Sequence, residues 1–241
     1  MDEDAVMDRP APRRRPQAGG YARGDETRTR IIEAALRRFG EDGYTRASTR
    51  QIAQEAGVNP PALQYYFEGK EGLHHACAEY IGERFRTAMH KSYAWSEQVD
   101  PSDPSAALDA LCSILDALAD YLFDTREKPD WSAFMARGQG DDGNETGYRL
   151  LKKTVSEELH GHCFRLVGSI IGMPPTEPQI RLRTLAILGQ LMVFHFSRSH
   201  ALDRLNWKDF HGPRLQMLKE IVRAQTRAAL RPSVSGAGVF V

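Results

Sequence analysis

The chain has few cysteines, and they are not paired. Among 241 residues there are three, Cys77, Cys112 and Cys163, each standing singly inside an apolar helical pattern. An odd count without Cys-x2-Cys spacing excludes a disulfide framework and a zinc ribbon, and predicts reduced, structural thiols in a cytoplasm. Long hydrophobic runs are missing too: no stretch approaches the ~18 uninterrupted apolar residues of a membrane span, so no membrane partner is expected. Residues 1–8 are acidic and contain no apolar signal core, which again points to a cytoplasmic compartment. There is no strand-type alternation and no internal repeat. A P-loop, a dinucleotide glycine motif, a Ser/His/Asp spacing and paired carboxylates are all lacking, which argues against an enzyme and implies no cofactor. Net charge is absent as well, with 32 Lys and Arg against 32 Asp and Glu.

What remains is an ordinary globular composition, 41% hydrophobic and 27% charged, in which the charges are unevenly placed. Between Arg9 and Lys70, Lys and Arg outnumber Asp and Glu by 12 to 7; elsewhere they are outnumbered 20 to 25. A basic front joined to an acidic back suits a module that meets a polyanion. Residues 1–24 hold three prolines, Gly19-Gly20 and the run Arg13-Arg14-Arg15, and are expected to form a disordered basic arm. That run is either a solvated tail or a strand of charge that enters a flanking minor groove. From Asp25, the expected N-cap, Ile31, Ile32, Ala35, Leu36 and Phe39 recur at helical spacing up to residues 40–43. Every later periodic segment also reads as helix: short ones over 49–56 and 60–67, a long one from Lys70, then 106–123, 146–171, 177–199 and 213–230. The fold class is therefore all-α, ending in a flexible tail over 231–241.

Residues 48–67, STRQIAQEAGVNPPALQYYF, carry the chemistry. Two short helices joined by a turn with glycine form the outline of a helix-turn-helix. Ile52 and Ala53 supply the inner face of its first helix, small Ala56 permits close approach, and Gly57 ends the helix. Val58 plugs the turn, while Leu63 and Phe67 anchor the second helix from beneath. Asn59 is a good N-cap, and the prolines after it give up only N–H groups that lack partners at a helix start. The N-terminal residues of such a second helix face base edges in the major groove, which marks Asn59, Pro60, Pro61, Ala62 and Gln64. Gln64 matches adenine bidentately, and Pro61 and Ala62 can touch thymine methyls. Tyr65 and Tyr66 reach far enough for phosphate, and Thr49, Arg50 and Lys70 stand at helix N-termini where phosphates dock.

Phe39, Gly43-Tyr44, Thr49-Arg50, Ile52-Ala53, Ala56-Gly57-Val58, Tyr66-Phe67, Lys70-Glu71 and Leu73 keep one continuous register over residues 25–73. Together they resemble the DNA-binding domain of the TetR family. Gln64 stands where the family often has tyrosine, which puts that contact in question. The segment from Asn59 to Leu73, the run from Ala76 to Ile81, Pro129-x-Trp131, and Leu188-Gly189-Gln190 with Phe194 and Phe196 are similar to the family's CecR branch. The resemblance implies a repressor that binds double-stranded, palindromic operator DNA as a homodimer and releases it when a small-molecule effector binds. It also implies the division: a helix-turn-helix domain over 25–72 and a ligand-binding and dimerisation domain over 73–230.

In the second half, residues 177–199 are apolar nearly all round. Leu182, Leu185, Ala186, Gly189, Met192, Val193 and Phe196 lie on one side, with Leu188, Leu191 and Phe194 on another. Such a helix is buried on both sides. With the last helix it suits a four-helix interface between two copies; Leu188, Leu191, Met217, Ile221, Ala224 and Ala228 are the residues expected there. Tyr121, Trp131, Phe134, Met135, Phe164, Gln190, Phe194 and His195 are candidates for lining an effector pocket, although ordinary core explains any of them. Gln190, an amide in an apolar helix, needs a partner. His160, His162 and Cys163 invite a metal, yet they supply too few ligands for a tetrahedral site, so none is assigned. His74 and His75 should divide between core edge and solvent.

Overall fold

A computed structural model describes residues 19–123, 131, 133, 134 and 155–231. The labelled helices are α1 (Gly19–Arg46), α2 (Thr49–Glu55), α3 (Pro60–Phe67), α4 (Lys70–Gln98), α5 (Pro104–Phe123), α6 (Glu157–Ile171), α7 (Pro178–Phe196), α8 (Arg198–Leu205) and α9 (Pro213–Ala229). There is no strand among the described residues, and none of these helices is long and apolar enough to cross a membrane. The protein is all-α.

Two boundaries differ from the periodicity. Helix α1 starts at Gly19, so Asp25 lies within it instead of capping it, and residues 19–24 are helix, not arm. Residues 19–24, Gly-Gly-Tyr-Ala-Arg-Gly, carry no apolar period, which hides an extension of this kind. At its far end α1 breaks at Gly43 (φ 78°, ψ 165°). The expected helix over 177–199 divides at Ser197 (φ −104°, ψ 36°), and α8 follows as a separate element. Of the helix expected over 146–171, residues 146–154 lie outside the described residues, as do the arm over 1–18, Met135 and the tail over 232–241.

Two apolar cores organise the chain. The front one joins Ile31, Ile32, Leu36 and Phe39 of α1, Ile52 of α2, Leu63 and Phe67 of α3, and Leu73, Cys77 and Ile81 of α4. The rear one takes Phe85, Met89 and Tyr93 from the same α4 and adds α5, α6, α7 and α9. Helix α4, 29 residues and about 43 Å long at 1.5 Å per residue, thus runs through both. Trp131 and Phe134, from the stretch between α5 and α6, are buried in the front core. The chain beyond α5 therefore helps to close the module built by α1–α4. All three cysteines are free and buried as expected; desolvation pushes the Cys163 thiol up to about 12.

Charge fixes α9 on α5. Asp109, Asp116 and Asp120 pair in antiparallel order with Arg227, Arg223 and Lys219; the Asp109 and Asp120 contacts span 2.6 and 2.8 Å. Each pair, one exposed and two partly buried, contributes modestly alone, but three in series set the register of the last helix.

Candidate nucleic-acid interface

The turn between α2 and α3 is built as the sequence requires. Gly57 adopts φ 67°, its N–H donates to Gln54 O at 3.1 Å, and the Val58 N–H donates to Ala53 O at 2.9 Å. That is a Schellman ending, which needs a left-handed residue at the glycine. Ala56 is buried beside it, and Val58 packs on the front core. Ser48 holds the extended N-cap conformation before α2 without a side-chain capping bond. Asn59 does cap α3: its Oδ1 accepts from the Ala62 N–H at 3.1 Å, and Pro60 and Pro61 fill the first helical positions.

With Leu63 and Phe67 turned into the core, α3 presents the opposite face outward. Asn59, Pro60, Pro61, Gln64 and Tyr65 are exposed, Tyr65 at 83%, and Ala62 and Tyr66 are half-buried. The two tyrosine rings meet edge to face, with centroids 5.4 Å apart. Arg50 is exposed at the start of α2, next to half-buried Thr49. Arg37 and Arg38 of α1 clasp Glu55 at 2.6 and 2.7 Å, fixing α2 against α1 and setting the angle from which α3 projects. Of the helix-turn-helix residues expected to meet DNA, Arg50, Asn59, Pro60, Pro61, Gln64 and Tyr65 are thus exposed.

Lys70 has a different setting. Its Nζ donates to Thr45 O at 3.0 Å and lies 4.8 Å from the Tyr44 ring centroid, and partial burial lowers its pKa. It ties the start of α4 to the end of α1. Beside it, His74 is buried among Phe39, Tyr44 and Phe134, with centroids 5.0, 5.1 and 4.8 Å away. Its Nδ1 has no hydrogen-bond partner. Desolvation first, then His75 and Lys70, push the His74 pKa down to about 4. His74 therefore folds neutral while the unfolded chain takes up a proton below about 6.5. Stability should be full above that pH, decline as pH falls towards 4, and level off below. The contribution is up to about 3 kcal/mol. Urea midpoints at pH 7.0 and 4.5 check this: His74→Leu should shrink the wild-type loss, and an undiminished loss would clear His74.

The seven described candidate pocket residues are not all brought together; Met135 lies outside the described residues. Trp131 and Phe134 belong to the front core, and Tyr121 bridges towards it, 5.0 Å from Phe85 and 6.4 Å from Trp131. Phe164 stacks on His160 at 5.6 Å. Phe194 meets Phe210 at 5.9 Å and His195 meets Phe123 at 6.4 Å. The Gln190 Nε2 donates to Thr226 Oγ1 at 3.5 Å, a contact between helices, but its Oε1 is buried without a partner. Sequence reasoning passed over Tyr93, whose hydroxyl is likewise buried and unpartnered and whose pKa burial raises. Its position in the series Phe85, Met89, Tyr93 was a usable signal: a phenol on an apolar face needs a partner.

The histidines near Cys163 do not converge. His162 stacks on Tyr93 at 4.2 Å and its Nδ1 lies 2.7 Å from Ser96 Oγ; the His160 Nδ1 lies 2.9 Å from Ser156 Oγ. No group of three His, Cys, Asp or Glu among the described residues is placed to hold a metal ion.

The dimer residues need correction. Leu188 and Leu191 are buried within the rear core and are not available to a second copy. An α7 that is apolar on every side offers no polar stripe to mark its outer face. The outer side is the row Leu182, Leu185, Val193 and Phe196, with Leu182 and Phe196 both 73% exposed. Met217, Ile221, Ala224 and Ala228 are exposed on neighbouring α9. Arg183 reaches Ala229 O at 3.4 Å, so the two helices run side by side.

Comparison with known proteins agrees with this architecture. Residues 31–77 match the family of bacterial regulatory proteins of the tetR family, and residues 107–232 match the C-terminal domain of the HTH-type transcriptional dual regulator CecR. The chain is 32% identical to the dual regulator CecR of Shigella flexneri over 83% of its own length and 89% of that protein. Its fold is similar to a TetR-like transcriptional regulator from Rhodococcus sp. RHA1, with a TM-score of 0.60 and 17% identity, covering 91% of this chain and 100% of that one. It is also similar to AibR, solved with isovaleryl coenzyme A and operator DNA. There the TM-score is 0.58 at 12% identity, with 83% and 97% of the two chains covered.

Proposed function

Because the chain belongs to the TetR family of DNA-binding transcriptional regulators, with a C-terminal domain of the CecR type, we propose that it is a repressor that holds a palindromic operator as a homodimer and is released by a small-molecule effector. The observation that carries the DNA half is the outward face of α3. Asn59, Pro60, Pro61 and Gln64 stand clear of the core on a helix whose start is capped and whose angle is braced through Glu55. Gln64 is the base-reading residue, Tyr65 and Arg50 take phosphates, and Thr49, Tyr66 and Ala62 fill in at the edges. Lys70 acts mainly by holding α4 against α1, so its charge meets the phosphate from a fixed position.

Two recognition helices reading successive major grooves must stand about 34–36 Å apart, which one copy cannot arrange. The exposed rows of α7 and α9 supply the pairing surface. Two helices from each copy, with Leu182, Leu185, Phe196, Met217 and Ile221 at the contact, bury apolar side chains that water otherwise meets. The effector half rests on the rear core, where the Tyr93 hydroxyl and the Gln190 Oε1 are the buried polar atoms still in want of a partner. AibR, solved with an acyl coenzyme A and operator DNA together, shows that one protein of this fold takes both kinds of ligand. Release follows if the effector binds better to a dimer whose α3 helices are mis-spaced, since only such a difference in affinity shifts the population.

Titration against a selected operator tests the assignment. Gln64→Ala should cost about 1–3 kcal/mol at one base pair per half-site and leave other positions unchanged. Arg50→Ala should weaken binding to every sequence alike and flatten the slope of log affinity on log salt by about 0.9 per half-site, about 1.8 for the dimer. Equal effects of the two on every sequence would mean the base and phosphate roles are wrongly divided.

A further inference from the structure

The arginines of α1 fall into two settings. Arg37 and Arg38, beside α2, are both engaged by Glu55, and the Arg46 Nε donates to Asp42 O at 3.0 Å. Arg28 and Arg30, nearer the start of the helix, are exposed, and among the described residues neither pairs with a carboxylate. The Arg28 guanidinium lies 5.3 Å from the ring centroid of Phe67, the last residue of α3. One terminal nitrogen of Arg30 reaches the Thr27 hydroxyl at 3.4 Å. The other lies 4.0 Å from where a Cβ on Gly57 would sit, just ahead of α3. A Cβ on Gly24 would lie 3.9 Å from the Tyr66 hydroxyl. The first half of α1 therefore runs along one flank of α3, with an uncompensated guanidinium towards each end of the recognition helix.

From this arrangement we infer that α1 belongs to the DNA-binding surface: Arg28 and Arg30, alongside the Tyr66 hydroxyl, hold the phosphates of the strand that borders α3 on this flank. The inference rests on α3 occupying the major groove. A helix about 10–12 Å across fills a groove about 12 Å wide, so a phosphate strand lies along each of its sides. A guanidinium beside such a strand bonds one phosphate through two N–H groups, which lysine cannot do.

Lys70, the phosphate ligand expected from the sequence, already has its Nζ on Thr45 O and the Tyr44 ring. No carboxylate competes in this way for Arg28 or Arg30; Asp25 and Glu26, exposed about one turn earlier, pair with neither. An arginine neutralised by a protein carboxylate, as Arg37 and Arg38 are, adds little attraction for a polyanion, whereas these two keep their charge for it.

The full-length chain bearing Arg28→Gln and Arg30→Gln together should be titrated beside wild type against a selected operator from about 50 to 200 mM salt. Lys91→Gln, an exposed charge about 30 Å along α4 from Lys70 at 1.5 Å per residue, is the control. The double variant is expected to bind every sequence more weakly and to keep the wild-type order of base preferences. Its salt slope should be flatter by about 1.8 per half-site, about 3.6 for the dimer. Over that salt range the wild type should lose about a hundredfold more affinity than the variant. Lys91→Gln should keep the wild-type slope. Lower affinity at an unchanged slope would make the two arginines supports for Phe67 and the turn, not phosphate ligands, and would overturn the inference. So would a double variant that matches wild type throughout, or a slope lowered as much per charge by Lys91→Gln. A wild type without sequence preference would count against the α3 reading itself, and the inference falls with it.

Discussion

Replacing Gly72 by alanine should abolish operator binding while the rear half of the chain stays folded. Glu68 (φ 57°) and Gly69 (φ 122°) reverse the chain between α3 and α4 so sharply that the Phe67 carbonyl comes to rest against Gly72. A Cβ there would lie 1.9 Å from Phe67 O and 3.0 Å from its carbonyl carbon. Both are backbone atoms, so no rotamer change relieves the clash, and α3 or α4 must move. Overpacking that side chains can absorb costs about 1–3 kcal/mol, and this case lies at or above the upper end. Phe67 anchors the recognition helix, so the displacement goes directly to its outward face. Gly161, mid-helix in α6, is the control: a Cβ meets nothing within 4 Å, and Gly161→Ala should stabilise by about 0.5–1 kcal/mol. Thermal melts of the two variants, read beside operator titrations, check both signs.

The second large effect concerns the pairing surface. Leu185→Glu with Ile221→Glu should give a folded monomer whose operator affinity is lower by a factor of 100 or more. Both side chains are about half exposed in the single chain, at 49% each, so the charges cost the protomer little. In a dimer they would be buried without partners. Losing the second half-site removes the effective concentration that tethering supplies, worth 10²–10⁴ in avidity. Sedimentation measures the mass and far-ultraviolet dichroism the helix content. A double variant that still sediments as a dimer would place the interface elsewhere.

The legible part of the sequence was the part where local chemistry dictates geometry. Asn59-Pro60-Pro61 opens a helix whatever surrounds it, Gly57 ends one, and Leu63 with Phe67 fixes which side of α3 faces inward. Such signals need no knowledge of distant residues, and the two short helices came out with their boundaries within a residue. Where the answer depends on tertiary neighbours the sequence is silent. Leu188 and Leu185 are both leucines on one apolar helix, yet one is core and the other half exposed, because α5, α6 and α9 approach from a single side. Trp131 and Phe134 read equally well as pocket or core, and only the folded chain puts them against His74 and Tyr80. Lys70 has the position of a phosphate ligand, and nothing local reveals that Thr45 O also claims it. The start of α1 was hidden for the opposite reason: residues 19–24, Gly-Gly-Tyr-Ala-Arg-Gly, carry no apolar period in the sequence.

The central claim, that two copies present the outward face of α3 to successive major grooves, is tested most directly by footprinting the wild-type protein on genomic fragments recovered by their affinity for it. The account predicts a two-fold symmetric protected site, with half-site centres one helical turn or a whole number of turns apart and a sequence preference in each half that changes with Gln64→Ala. Salt-sensitive binding with no sequence preference, or a single asymmetric protected site, would contradict it.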